Sequence, residues 1–448
     1  MLETSFYEED LKVKSMKKLV LAGLVLLASV MVLVGCKMEP EVPPAKLNSI
    51  TSLVQSAFSK DEIGDTMMIV VTYDNGTTKT VKGTITSDSS ELTQSHGLNK
   101  EVIVSYSEGG ITKEATFTID VASYKFTETV EDYVYPTGQT GTASSTSTPQ
   151  VTDPIYKQFG DWPQTIKGEN IEIGSNTLTR GGFDYYVGSD GNYYVEHKSE
   201  YFYVGSDGNY YVEHKSEYYK VEPIVWRVLT KDYKVPGENG ELQSTGRALL
   251  LAENILTGGI GYYVNSGRRT IGSATVYANN YKYSTIRAWL NGSYETDDTQ
   301  ERNYEGKGFL QTAFTTEAQD LIAETTVDNS AASTTDAGEK LPQATEYACD
   351  DTKDKIFLLS EQEATTKEYG FGEYYAYGQG NTRIRVTTDY AEATGAYQDG
   401  TFWWWLRSPI YFDGNLARII YDSGNTTSDF DVRSINGGVV PALSISLK

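Results

Sequence analysis

The sequence predicts a multidomain protein in which a small all-β sandwich is followed by a large mixed α+β domain. Three observations carry that expectation. Residues 47–122 form short alternating apolar runs separated by hairpin turns. Residues 137–154 are dominated by Gly, Ser, Thr and Pro, with no aliphatic pattern beyond Val151, which is the composition of a linker. From Ile155 to Lys448, strand runs interleave with helix-start signals. The 448 residues suffice for two or three cores. Burial alone must hold them, because Cys36 and Cys349 are the only cysteines.

The N-terminus has the parts of an export signal. Met16-Lys17-Lys18 is basic, Leu19 to Val34 is apolar, and the run closes in Leu33-Val34-Gly35-Cys36. That ending resembles the lipobox of bacterial lipoproteins. The resemblance implies a lipid, palmitate included, on Cys36 and cleavage before it. Residues 1–35 then read as signal peptide. Met16 is the expected start, since Glu3, Glu8, Glu9 and Asp10 are foreign to a signal head. An uncleaved anchor is the alternative, but the run is shorter than the roughly 20 residues of a spanning helix. Residues 36–46, with Pro40, Pro43 and Pro44, read as a stiff lipidated tether. The expected location is a cell or outer membrane, lipid-anchored and extracytoplasmic, with the leaflet left open.

The small module pairs Met67 to Tyr73 with Thr77 to Val81 across Asp74-Asn75-Gly76, which is hairpin-turn chemistry. Val102 to Tyr106 and Ala115 to Ile119 flank a second turn at Glu108-Gly109-Gly110. The pattern VTYDNGTTKTV…VSYSEGGITKEATFTIDV resembles bacterial immunoglobulin-like domains of cell-surface proteins. The resemblance implies a spacer or adhesion module without catalytic groups. Residues 123–154 are expected to link it to the large domain.

The large domain opens on an internal repeat. Tyr186 to Phe202 and Tyr203 to Tyr219 are 17-residue copies that differ only at their last position. Each has a Ser-Asp-Gly-Asn turn among tyrosines and valines. Two copies are too few for a solenoid, so a duplicated surface hairpin at 186–219 is expected, and deleting the copy Tyr203 to Tyr219 is expected to leave the fold intact. Helices are expected at Ser284–Leu290, at Thr315–Thr325, and from Ser360 toward Gly370, where Ser360 and Glu363 form a capping-box pattern. Strands are expected at Ile224–Leu229, Ala248–Leu251 and Lys355–Leu359.

Seven landmarks run through this domain. They are FGDWPQTI (159–166), EPIVWRVL (222–229), LLLAENIL (249–256), STIRAWLNG (284–292), DKIFLLSEQE (354–363), WWLRSP (404–409) and GGVVPAL (437–443). Their order resembles the domain of unknown function numbered 6273. Val440 departs from it, standing where an Arg is expected. The C-terminal part also resembles the ends of C-type-lectin-like domains, which implies a ligand-binding final segment; this is fold-level analogy.

No catalytic signature is present, and no enzyme activity is expected. His96, His197 and His214 are the only histidines, and two are the same repeat position. None is placed for a triad, and no His or Cys cluster offers a metal site. Acidic neighbours Glu346, Asp350 and Asp351 disfavour a thiolate at Cys349, which reads as a small buried hydrophobe. A pair of carboxylates working on carbohydrate stays open, with no two residues singled out. No phosphate loop or dinucleotide motif appears, so no cofactor is expected. A net charge of −23 argues against nucleic acid.

The stretch 402–436 is the expected recognition segment. Phe402 to Trp405 concentrates three of the six tryptophans. Strand alternation would put Phe402, Trp404 and Leu406 on one face and Trp403, Trp405 and Arg407 on the other. Packing and ligand contact are both open to these tryptophans. Beyond Pro409 the chain mixes aromatic, Arg, Asp and Asn residues, the composition of binding surfaces. The candidate ligand contacts are Trp403, Trp405, Arg407, Tyr411, Phe412, Asp413, Asn415, Arg418, Phe430, Asp431, Arg433 and Asn436. The expected function is a membrane-anchored, adhesin-like surface protein that binds a protein or glycan. An envelope enzyme acting on carbohydrate and a structural envelope protein are the alternatives.

Overall fold

The structure is a computed structural model and describes residues 44–135, 154–204, 206, 209–237, 240–296, 301–371, 382–396, 400–426 and 429–447. Cys36, the expected signal segment 1–35, the expected tether up to residue 43 and residues 136–153 of the expected linker lie outside the described residues. Among the described residues no helix is long and apolar enough to cross a membrane.

Strands dominate both units. The small unit is built from β1 (Leu47–Leu53), β2 (Ala57–Ser59), β3 (Thr66–Tyr73), β4 (Thr78–Ile85), β5 (Gly97–Glu108) and β6 (Ile111–Ala122). They form one six-stranded sheet in the order β1-β3-β4-β5-β6-β2. The sheet curls until β1 also lies against β6. All neighbours are antiparallel except β2 and β6. Alternation sets its faces: Met67, Ile69 and Val71 point inward, while Met68 points out. Gly76, at φ +81°, makes the tight β3–β4 turn.

Residues 123–135 are a correction to the expected linker. They are packed rather than spanning. Phe126 is buried and stacks on Tyr193 at 5.2 Å. Arg180 lies over the other side of this aromatic group, 3.7 Å from the Phe126 ring. Asp161, buried in the FGDWPQTI landmark, accepts hydrogen bonds from the Tyr124 hydroxyl (2.7 Å) and the Thr127 amide (2.8 Å). Burial still holds its carboxyl above the usual range. β7 (Glu131–Tyr133) then pairs with β8 (Tyr156–Ile166).

The two units therefore share a core. Ala57 and Ala122 of the small sheet meet Tyr185, Val187, Tyr193, Val195 and Val221 of the large one. Buried Asp120 accepts from the amides of Asn99 and Asn176, one on each side.

The large sheet contains β9 (Ile173–Arg180), β10 (Phe183–Gly188), β11 (Tyr193–Val204), β12 (Tyr210–Thr230), β13 (Ala248–Ala252), β14 (Ile356–Phe357) and β18 (Ala442–Ile445). The order is β14-β18-β13-β12-β11-β10-β9, with β8 also on β12 and β7 on β8. The landmark tryptophans lock this sheet: the Trp226 indole donates to the Phe159 carbonyl at 2.7 Å and Trp162 to the Leu256 carbonyl at 2.9 Å.

The repeat is not a surface hairpin that happens to occur twice. Its copies supply the end of β10, all of β11 and the outer half of β12, and β11 pairs with β12 from Tyr194↔Lys220 to Val204↔Tyr210. Each copy contributes one turn and one strand. Removing a single copy would reverse the direction in which the chain enters β12. The expectation that Tyr203 to Tyr219 can be deleted without loss of the fold is corrected by this strand order.

The helices are α1 (Thr285–Asn291), α2 (Phe309–Ala313), α3 (Thr316–Leu321), α4 (Glu361–Ala364) and α5 (Asp389–Thr394). Ser284 caps α1 by accepting from the Arg287 amide, and Gly292 ends it at φ +60°. Ser360 and Glu363 close the capping box on α4. α3 stops at Leu321, short of the expected Thr325, because Ile322 bridges to Ile445 and Thr325–Val327 pairs with Thr352–Asp354. Tertiary pairing overrides local helix preference there.

Candidate functional site

The C-terminal segment folds as a three-stranded antiparallel sheet of β15 (Trp404–Pro409), β16 (Leu416–Ile420) and β17 (Asp429–Asp431). Its tryptophans are core. Trp403 is 7% exposed, and Trp404 and Trp405 are fully buried. The WWLRSP and GGVVPAL landmarks fit each other. Trp405 donates its amide to the Gly438 carbonyl and Gly438 donates to the Trp403 carbonyl, both at 3.0 Å. A Cβ on Gly437 would lie 2.1 Å from the Trp405 Nε1 and 2.7 Å from the Trp403 ring. Glycine is required because two indoles occupy the space of a side chain.

Four of the expected contact residues are thereby removed from any surface. Trp403 and Trp405 pack inward. Arg407, 2% exposed, forms an ion pair with Glu363 and donates to the Leu358 and Asp328 carbonyls. Arg418, 3% exposed, lies beside buried Glu361. A buried guanidinium needs this kind of pairing. The composition of the segment did not separate exposed cations from buried ones.

The remaining eight residues are brought together at one end of the small sheet. Leu416 of β16 pairs with Asp431 of β17, so the 410–415 turn and the 432–436 turn lie side by side. The Val432 amide donates to the Asn415 carbonyl at 3.0 Å. Tyr411 and Phe412 are exposed and meet edge to face at 5.0 Å. Phe430 is half exposed and stacks on Trp403 at 4.6 Å, which in turn rests edge-on against Trp405. Phe430 is thus an outward aromatic face on a rigid indole backing.

The polar residues divide between scaffold and surface. Asp413 accepts from the amide and side chain of Asn415, and Asn415 accepts from the Gly267 amide. Asn279 donates to the Asp413 and Leu416 carbonyls from beneath. Asp413 and Asn415 hold the turn. Arg433 and Asp431 form an exposed two-pronged pair, with Arg433 Nε and Nη2 at 2.9 and 2.6 Å from the carboxylate. The hydrogen bond from Arg433 holds the Asp431 carboxyl below its usual range. Asn436 is exposed beside them.

Two further exposed apolar residues, Tyr421 and Ile435, belong to the same segment. Only their exposure distinguishes them from buried neighbours such as Ile420 and Val432.

The groups considered for chemistry sit elsewhere. His197 packs on Tyr219 and Tyr390, and burial pushes its imidazole pKa down. His214 lies 3.3 Å from Glu200 on the exposed repeat. Burial raises the Cys349 thiol to about 11. No group of three or more metal-ligand side chains is gathered among the described residues.

No curated protein and no solved structure matches the chain. The Phe159–Ile166 and Glu222–Leu229 landmarks lie ahead of the stretch for which a family match exists, although β12 and β13 join the two parts in one sheet. Over residues 245–447 the chain carries a domain that matches the family described as Domain of unknown function (DUF6273).

Proposed function

We propose that this chain is a lipid-anchored surface protein that binds an extracellular protein or glycan, without catalysis, through the paired turns 410–415 and 432–436. The observation that carries the reading is the exposed Tyr411–Phe412 pair together with Phe430, which is backed by the buried Trp403, and the exposed Asp431–Arg433 pair. Aromatic anchors supply contact area at low entropy cost, and charged groups at the rim supply direction. A rigid scaffold carrying loops is a common way to build such a surface. The small unit, read as immunoglobulin-like, serves as spacer. The lectin-like resemblance of the C-terminal part agrees with ligand binding by its last turns. The anchor is Cys36.

The test is to compare the full chain with Tyr411→Ala and Phe412→Ala on arrays of glycans, matrix proteins and envelope components. Loss of a bound ligand by about tenfold to a hundredfold, with unchanged melting, is expected. Binding that persists in both variants would remove this surface from the reading.

A further inference from the structure

The outer half of β12 is an exposed sheet edge. β8 covers β12 only from Tyr219 onward, so Tyr210 to Glu217 has β11 on one side and no strand on the other among the described residues. That edge carries no proline, and its pairing with β11 runs without a bulge. Proline and bulges are two of the usual guards against edge-to-edge pairing. The side chains are also out of place. Tyr210, Tyr211 and Val212 are 86%, 41% and 46% exposed. The identical Tyr193, Tyr194 and Val195 of the first copy are 0%, 2% and 3% exposed.

The sequence is complementary to itself. Within one chain β11 and β12, which are copies of one unit, pair antiparallel with His197 opposite Glu217 and Glu200 opposite His214. The His214 and Glu200 side chains approach to 3.3 Å. Such a cross-strand pair is a charge pair only when the imidazole is protonated. The copies use one edge of each strand for this. On the other edge of β12, Glu213 and Lys215 flank His214, so antiparallel pairing of that edge with itself about His214 sets unlike charges opposite each other, in a register distinct from the His–Glu register inside the chain.

We infer that the β12 edge pairs antiparallel with the β12 edge of a second copy of this chain. Two-fold pairing centred on His214 keeps both copies clear of the part of β12 covered by β8. It sets His214 against its counterpart, Ser216 against Val212 of the second copy, and Lys215, which lies 2.7 Å from Glu217 within its own chain, against Glu213 of the second copy. The lysine that would otherwise guard the edge becomes a register key. The joined ladder places the second copy's β12 along the open edge from Tyr210 to Val212.

The experiment measures self-association of the full chain by sedimentation over a wide concentration range, with circular dichroism as the control for folding. Reversible dimers are expected for the native sequence. Glu213→Lys sets like charges across the interface and should weaken dimerisation about tenfold. Glu213→Lys with Lys215→Glu restores opposite charges and should recover it. Within the chain Glu213 is opposite Tyr201 and Lys215 opposite Ser199, and Lys215→Glu gives up the exposed Lys215–Glu217 ion pair, so circular dichroism checks that the arm of each variant still folds. A monomer at every concentration, or a dimer indifferent to both variants, overturns the proposal.

Discussion

Tyr193 and Tyr210 hold the same place in two copies of one sequence, yet Tyr193 is fully buried and Tyr210 is 86% exposed. Tyr193 stacks on Phe126 and meets Tyr185 and Tyr124 edge to face, in the core shared by the two units. Tyr193→Ala should therefore cost about 3–5 kcal/mol, as other buried aromatic deletions do. Tyr210→Ala should stay within about 0.5 kcal/mol. Thermal and denaturant melts of the two variants measure the difference, and equal losses would contradict the placement of the copies.

The parity of the repeat gives a second prediction. Deleting residues 203–219 removes one strand and reverses the entry into β12, so the variant should fail to reach the native fold. Deleting residues 199–215 and closing the ends with Asn-Gly keeps the pair Lys198↔Ser216 and everything inward of it. That shortened arm should melt within about 1 kcal/mol of the native chain. Near-native melting of the 203–219 deletion would show that the sheet tolerates an inverted strand.

The Arg407–Glu363 pair, 2.5 Å apart and buried, predicts a large mutational effect. Arg407→Leu leaves the Glu363 carboxylate without its cation and should cost about 3–5 kcal/mol. Replacing both partners with apolar residues should cost less than the single change, which a double-mutant cycle would read.

The two buried carboxylates of α4 give opposite pH dependences. Burial pushes Glu363 up, but Arg407, the Tyr233 hydroxyl and the Ser360 amide outweigh it and hold its carboxyl below the usual value. Its stabilising contribution is present above the unfolded pKa and is lost as pH falls through the lower folded value. Glu361 is pushed up to about 7 by burial, against the opposing pull of Arg418, Thr426 and Arg383. Its contribution is full below the unfolded carboxyl pKa and is lost as pH rises toward 7. Glu361→Gln should flatten the decline in stability between about pH 4.5 and 7. Denaturation midpoints across that range test it, and an unchanged slope would exclude Glu361 as its source.

Gly437→Ala should destabilise by about 1–3 kcal/mol, the usual cost of overpacking, since its Cβ meets Trp405 at 2.1 Å. On the proposed function it should also weaken ligand binding, because Trp403 backs Phe430. On the proposed lipid anchor, Cys36→Ser should abolish incorporation of labelled palmitate; continued labelling would remove Cys36 as its site.

The sequence alone settled the local features, because they depend on a few adjacent residues. The Asp74-Asn75-Gly76 turn, the inward alternation of Met67, Ile69 and Val71, and the Ser284 and Ser360 caps follow from turn chemistry, side-chain period and orphan amides. It also marked 410–436 as a segment of mixed aromatic and polar character. Tertiary structure decided what each residue does there. Arg433 and Arg418 are alike in sequence, but one is exposed on Asp431 and the other is buried by Glu361. The repeat makes the same point most sharply. Local chemistry makes both copies strands, while neighbours distant in the chain, Phe126 and Ala122 for one and solvent for the other, decide which is core. Burial is set by long-range packing, and identical local sequences carry no information that could distinguish them.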